Sequence, residues 1–300
     1  MEVKSVLGFD LDGTLTPRNR FEILPKGLSE TMNELSQRGH VCIPVSGKPV
    51  DYTKNVFTIN SLFDYGIIGE NAGTFRRPGA IEIEIFGPGN EKMKLLRNTV
   101  IPSGKTDVTE ITLNNVSYEV VVDPEDVSIL TIFTDPKPVS QRWTFSQSIE
   151  AVDLVRLLKE LITRQRWESE LRVLDPFPDG GVQVIRRDAI NNRDIDKQCW
   201  TEAVGQMFEV SKLKSMLMFG DGHNDIPAMK ADGVIGITFA NAHEAVKQYV
   251  SANGGYVSSF EAPDGLGIPD GLSWLARRNF FGDDSQEINR LLSKAFPEIN

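Results

Sequence analysis

The chain has 300 residues, 40% hydrophobic and 25% charged, a composition that supports one large or two ordinary globular domains. Its net charge of −10 lacks the basic balance that offsets a phosphate backbone, so no nucleic-acid partner is expected, whereas a small anionic ligand in a cleft of opposite local field is compatible. No apolar stretch approaches the ~20 residues that cross a bilayer, "MEVKSVLGFD" has no secretory apolar core, and Cys42 and Cys199 sit in apolar and helical patterns, which together predict a cytoplasmic chain with reduced thiols and no membrane partner.

In chain order, "SVLGF" (5–9) predicts a short buried strand that ends at Asp10. "KGLSETMNELSQRG" (26–39) spaces Leu28, Met32 and Leu35 as one helical face and closes on Gly39 as a C-cap. "VCIPVSG" (41–47) predicts a second strand, residues 50–58 a helix, and "YGIIGENAG" (65–73) a third strand. Alternating strands and helices are the pattern of a parallel sheet covered by helices.

The rhythm changes near residue 78. "AIEIEIFG" (80–87) alternates apolar and charged residues as a half-exposed antiparallel strand does, and "EITLNNVSYEVVV" (110–122) predicts a hairpin turning at Asn114 and Asn115. "SILTIF" (128–133) is a further strand, 146–166 a long helix, and "GVQVIRR" (181–187) alternates again. From about 190 the first pattern returns, with a helix at 196–208, strands at 215–221 and 233–241, and helices at 224–233 and 242–250. The expected fold class is α/β: a core of residues 1–80 and 189–300, interrupted by an α+β domain of residues 81–188. The tail from 279 carries a helical segment at 285–296 that either packs on the core or mediates self-association into a homo-oligomer.

Three of the core strands end in polar clusters, "FDLDGT" (9–14), "VSGK" (45–48) and "FGDGHND" (219–225). Ligands of open α/β sheets bind beyond the carboxyl ends of the strands, so the clusters are expected to converge. Asp10, Asp12, Asp221 and Asp225 would then meet, and burying carboxylates together requires a cation or shared protons. An all-oxygen donor set without Cys or His indicates a hard cation, Mg²⁺ first. An Asx turn accounts for Asp12 and Gly13 but leaves Asp10 unexplained.

"DLDGT", the Ser46–Gly47 pair, a downstream lysine and "GDGHND" resemble the four motifs of the haloacid dehalogenase superfamily. Their order, with an insertion between the second and third, is similar to that of the Cof-type and related sugar-phosphate phosphatases. The resemblance covers about 1–78 and 190–275. It implies a Rossmann-like core with an inserted cap, and a Mg²⁺-dependent phosphatase acting on a small phosphorylated metabolite. Asp10 becomes the nucleophile that forms an aspartyl-phosphate, and Asp12 the acid that protonates the leaving alcohol and later activates water. The superfamily's dehalogenases lack an acid at the position of Asp12, so its presence points to phosphoryl transfer. The resemblance makes Asp10, Asp12 (through its backbone carbonyl), Asp221 and Asp225 the metal ligands, and Thr14, Ser46, Gly47, Lys48 and Asn224 the phosphate-side contacts. Ser46 is also a plausible helix N-cap, and Lys48 stands where many relatives carry Arg.

The third-motif lysine is read as Lys197, at the start of a helix where a cation needs an anionic partner, with Lys212 and Lys214 as alternatives. His223 is read as an exposed loop residue. Glu70 and Asn71 resemble a strand-end "NG" region of the family but are equally explained by a turn. Asp179, Gln183, Arg186 and Arg187 are either substrate readers or the solvent face of their strand. Two other functions compete: a phosphosugar mutase, because "FDLDGTLTPRNR" also resembles phosphomannomutases, and a catalytically silent binding module, which the full set of acids and Lys197 disfavours.

Overall fold

The computed structural model describes residues 2–299 except 19, 61, 63, 64, 101–106, 114, 115, 123–127, 134–148, 177–180, 210–214 and 264. The chain divides into two compact units, Met1–Glu84 with Asp196–Asn300, and Ile85–Ile195. The first segment holds β1 (Ser5–Phe9), α1 (Lys26–Gln37), β2 (His40–Pro44), α2 (Val50–Ile59), β3 (Ile67–Gly69), β4 (Thr74–Arg76) and β5 (Glu84–Ile85). The inserted unit contains α3 (Asn90–Val100), β6 (Asp107–Leu113), β7 (Val116–Val122), β8 (Leu130–Phe133), α4 (Ala151–Gln165), β9 (Leu171–Val173), β10 (Gly181–Asp188) and β11 (Arg193–Asp194). The chain then completes the core with α5 (Trp200–Phe208), β12 (Met216–Phe219), α6 (Ile226–Met229), β13 (Val234–Thr238), α7 (Glu244–Ala252), β14 (Tyr256–Val257), α8 (Gly267–Arg277) and α9 (Ser285–Ala295).

The core sheet is parallel, in the order β14-β13-β12-β1-β2. Every residue of β1 is buried, as expected of a central strand covered on both faces. Leu7 and Phe9 join the cluster built with Leu28, Met32 and Leu35 of α1 and Ile268 and Leu272 of α8. Gly8 faces the other way, where a Cβ would lie 3.0 Å from Trp200. Phe9 and Phe219, paired across β1 and β12, stack with ring centroids 4.5 Å apart. The tail packs on this core: Ile288, Leu292 and Phe296 belong to the same cluster. Among the described residues no helix is long and apolar enough to cross a membrane. Cys42 and Cys199 are buried and are not joined in a disulfide.

The third strand is shorter than its apolar run predicts and largely leaves the parallel sheet. Val45 and Ile68 form an isolated parallel bridge, but β3 runs antiparallel to β4. The cause is local: Glu70, Asn71 and Ala72 take φ of 48°, 53° and 69°, which turns the chain back at once. The alternating run at 80–87 gives only the two-residue β5, bracketed by Gly79 and Gly87, both with positive φ.

In the inserted unit an antiparallel sheet runs β11-β10-β8-β7-β6, with β9 beside β10. Hairpin β6–β7 pairs Leu113 with Val116; Asn114 and Asn115 lie outside the described residues. The units divide at 84 and 195 rather than 80 and 188; the second boundary lies later because β11 pairs back onto the end of β10. Despite its alternating sequence, β10 presents no solvent face through Arg186. That side chain is 1% exposed and donates to the carbonyls of Phe86, Gly87, Pro88 and Ser128 at 2.7–3.1 Å, so it is a structural staple. Gln183 is buried against Thr131, and Arg187 pairs with Asp194 at 3.1 Å. Asp179 lies outside the described residues.

Asp284, just before α9, accepts from Lys4 at 2.7 Å, Arg38 at 3.2 Å and contacts His40 Nε2 at 3.2 Å. The Lys4 hydrogen bond, opposed by burial and helped by Arg38 and His40, holds its carboxyl down at about 2. A carboxyl held below its unfolded value stabilises the fold above about pH 4, and that contribution fades as pH falls through the folded value. Asp284→Asn is therefore expected to lower stability at pH 7 by on the order of 1 kcal/mol, a screened multi-partner contribution. The gap in melting temperature between variant and wild type should narrow below pH 4; a constant gap would show that charge is not the cause.

Candidate active site

Because β1 and β12 are parallel and in register at Phe9 and Phe219, both chains leave the sheet at the same end. The Asp10 N–H then donates to the Phe219 carbonyl at 2.9 Å, which fixes the acid beside the loop that follows β12. Asp10, Asp221 and Asp225 are all buried, and one carboxylate oxygen from each lies within 4.8 Å of the others. Lys197, 1% exposed, donates to Asp10 and, at 2.6 Å, to Asp225. It opens the short turn Lys197–Cys199, where the expected anionic partners are these two buried acids. Lys212 and Lys214 lie outside the described residues.

The electrostatics follow from crowding in a dry site. Burial, with Asp225 and Asp221 adding to it, pushes the Asp10 carboxyl up to about 7 against the pull of Lys197. Burial alone would pull the Lys197 ammonium down, but Asp10 and Asp225 outweigh it and hold it above its ordinary value. Asp221 is also raised by burial, opposed by a 2.9 Å ion pair with Arg18 and a 3.2 Å hydrogen bond from Thr14. A donor set of three clustered carboxylates fits a hard divalent cation.

Gly13 is required by this packing. Its φ is +92°, and a Cβ there would sit 2.5 Å from an Asp221 carboxylate oxygen. Its N–H donates to the Thr16 carbonyl at 2.7 Å, and its carbonyl accepts from Asn241 Nδ2 at 3.2 Å. The Asp12 side chain stands outside the carboxylate cluster, a quarter exposed, 3.7 Å from Lys48 Nζ. That side chain is thus not brought to the other three acids; it lies on the side of Lys48 instead.

Ser46 leaves β2 at the same end of the sheet, since Val45 N–H donates to Phe9 O at 2.8 Å. The buried Ser46 hydroxyl accepts from the Lys48 N–H at 3.1 Å, and α2 starts later, after Pro49. Glu70 and Asn71, open between two readings in the sequence, brace this loop. Their N–H groups donate to Lys48 O at 2.9 Å and Ser46 O at 3.0 Å, and a Cβ on Gly47 would lie 3.1 Å from Asn71 Oδ1. Asn224 and His223 are exposed; Asn224 folds over Gly222, and His223 stacks on His243 with centroids 4.6 Å apart. Neither Arg18 nor Asn241 was assigned a role from the sequence. Arg18 follows the first acid motif closely enough to have been a candidate, and Asn241 opens the run "NAHEAVK" (241–247).

A family model described as haloacid dehalogenase-like hydrolase matches residues 185–262, the stretch holding Lys197, Asp221 and Asp225. No curated protein sequence matches the chain. The fold is similar to a Thermotoga maritima protein at 19% identity and TM-score 0.57, covering 89% of this chain and 95% of the other. A haloacid dehalogenase-like hydrolase from Bacteroides thetaiotaomicron aligns at 16% identity and TM-score 0.54, over 97% of this chain and all of that one. The subclass IIB sugar phosphatase BT4131 aligns at 19% identity and TM-score 0.51, over 91% and 98%. The parallel core with its inserted α+β unit is that fold, and the resemblance to Cof-type hydrolases holds.

Proposed function

We propose, from a chain that is haloacid dehalogenase-like in its fold and in its matched core segment, a Mg²⁺-dependent phosphatase acting on a small phosphomonoester, a sugar phosphate being the first class to test. The observation that carries the reading is Lys197 buried between Asp10 and Asp225 at adjoining strand ends. That arrangement orients a carboxylate nucleophile while offsetting its charge toward an anionic phosphate. The similarity to a sugar phosphatase supports the substrate class by analogy of fold.

Asp10, Asp221 and Asp225 are the side chains that would hold Mg²⁺, which when bound neutralises phosphoryl oxygens and lowers the repulsion to an incoming carboxylate. In the proposed sequence an Asp10 oxygen bonds to phosphorus as the bond to the leaving oxygen breaks, and Asp12 gives that oxygen its proton. Water then attacks the phosphoryl group, Asp12 takes the proton, and the Asp10 carboxylate is released. Thr14 keeps Asp221 in place from the same loop, while the Ser46–Lys48 loop offers the Ser46 hydroxyl, the Gly47 N–H and the Lys48 ammonium for the phosphoryl oxygens.

The test is phosphate release from a panel of phosphorylated sugars, polyols and small acids, with Mg²⁺ and with EDTA. Release that requires the cation is expected for at least one compound. Silence across the panel, followed by sugar-phosphate isomerisation only with a hexose bisphosphate, would replace the phosphatase by a mutase.

A further inference from the structure

Arg18 lies in the loop that follows the first acid motif, and its role is unaccounted for by the phosphoryl-transfer scheme. Its Nη2 donates to Asp221 Oδ2 at 2.9 Å, while Thr14 Oγ1 holds the other oxygen at 3.2 Å. The two ends of this ion pair are unequal. The Asp221 side chain is 2% exposed and belongs to the carboxylate cluster; the Arg18 side chain is 62% exposed and reaches in from solvent. An exposed guanidinium loses little on returning to water, whereas a buried carboxylate must always keep a partner. A divalent cation drawn to the cluster thus meets a like charge already bonded to one of its three ligands.

We propose that Arg18 competes with the divalent cation for Asp221 and thereby sets the cation concentration at which the site loads. The inference rests on the phosphatase reading of the three carboxylates, and it adds a regulation of that site. Two roles are separated within one loop: Thr14 fixes the Asp221 carboxylate, and Arg18 is the partner that yields. The solvent-facing side chain touches the cluster through Asp221, apart from the Lys197 contacts with Asp10 and Asp225.

The test is a Mg²⁺ titration followed by calorimetry on the full chain, comparing wild type, Arg18→Ala, Arg18→Lys and Asp221→Asn. Arg18→Ala should bind Mg²⁺ about three- to tenfold more tightly, the range expected for losing one competing charged hydrogen bond. Arg18→Lys, which keeps the charge, should stay near wild type. Melting gives an independent readout: in EDTA Arg18→Ala should melt below wild type, and saturating Mg²⁺ should close the gap by taking over as the partner of Asp221. Equal or weaker Mg²⁺ binding by Arg18→Ala, with wild type binding normally, would overturn the competition alone. A wild type without saturable Mg²⁺ binding, or binding that survives Asp221→Asn, would overturn the site reading as well.

Discussion

Replacing Lys197 with Met is expected to abolish turnover and to lower stability in EDTA by about 3–5 kcal/mol, the cost of deleting one partner of a buried ion pair. The ammonium is the shared donor to Asp10 and Asp225, and all three residues are buried. Without it the three clustered carboxylates keep their mutual repulsion and their desolvation penalty. Lys197 holds the Asp10 carboxyl down at about 7 against burial, so in the variant Asp10 keeps its proton to higher pH. The deficit should therefore shrink as pH falls toward 7 and level off below it, where Asp10 is protonated in both proteins. Saturating Mg²⁺ should restore part of the stability and none of the activity, since a cation can share the acids but cannot reproduce the lysine beside the nucleophile. Urea unfolding with and without Mg²⁺ across pH 5–8 checks this. A variant as stable as wild type in EDTA would show that Lys197 does not carry the charge balance.

Asp10→Asn is expected to lower turnover by on the order of 10⁴-fold or more while leaving the fold intact, as removal of a covalent nucleophile does. The amide keeps the shape of the carboxyl, and Lys197 keeps Asp225 as an acceptor. The stability profile should change in a defined direction. With its carboxyl raised to about 7, native Asp10 binds a proton that the unfolded chain has already released near pH 4–7. Wild-type stability in EDTA therefore falls as pH rises through that window, and the variant should lack this component. A variant that retains the full pH dependence would place the titrating group elsewhere.

The core was legible because its strands are short apolar runs, as buried parallel strands need to be, and because β1 and β12 stop at acids. Lys197 was legible because a cation at a helix start calls for an anion, and Asp10 and Asp225 supply two. The departures have different causes. "GIIGENAG" reads as an ordinary strand, since nothing in it announces three successive left-handed residues that fold it away from the parallel sheet. Arg186 reads as a substrate reader or a solvent-facing residue because alternation says nothing about carbonyls some 100 residues earlier that can satisfy a buried guanidinium. Asp12 shares a motif with Asp10, but spacing alone could not show that its side chain lies toward Lys48 and away from the other acids. Arg18 and Asp221, 203 residues apart, meet only once β1 and β12 are paired.

The most direct measurement is rapid acid quenching of the wild-type chain during turnover of a substrate found in the phosphate-release panel, followed by mass analysis of its peptides. The account predicts one phosphoryl group on the peptide that contains Asp10, formed only with the divalent cation and missing from Asp10→Asn. A phosphoryl group on another residue, or phosphate release by Asp10→Asn at the wild-type rate, would contradict it.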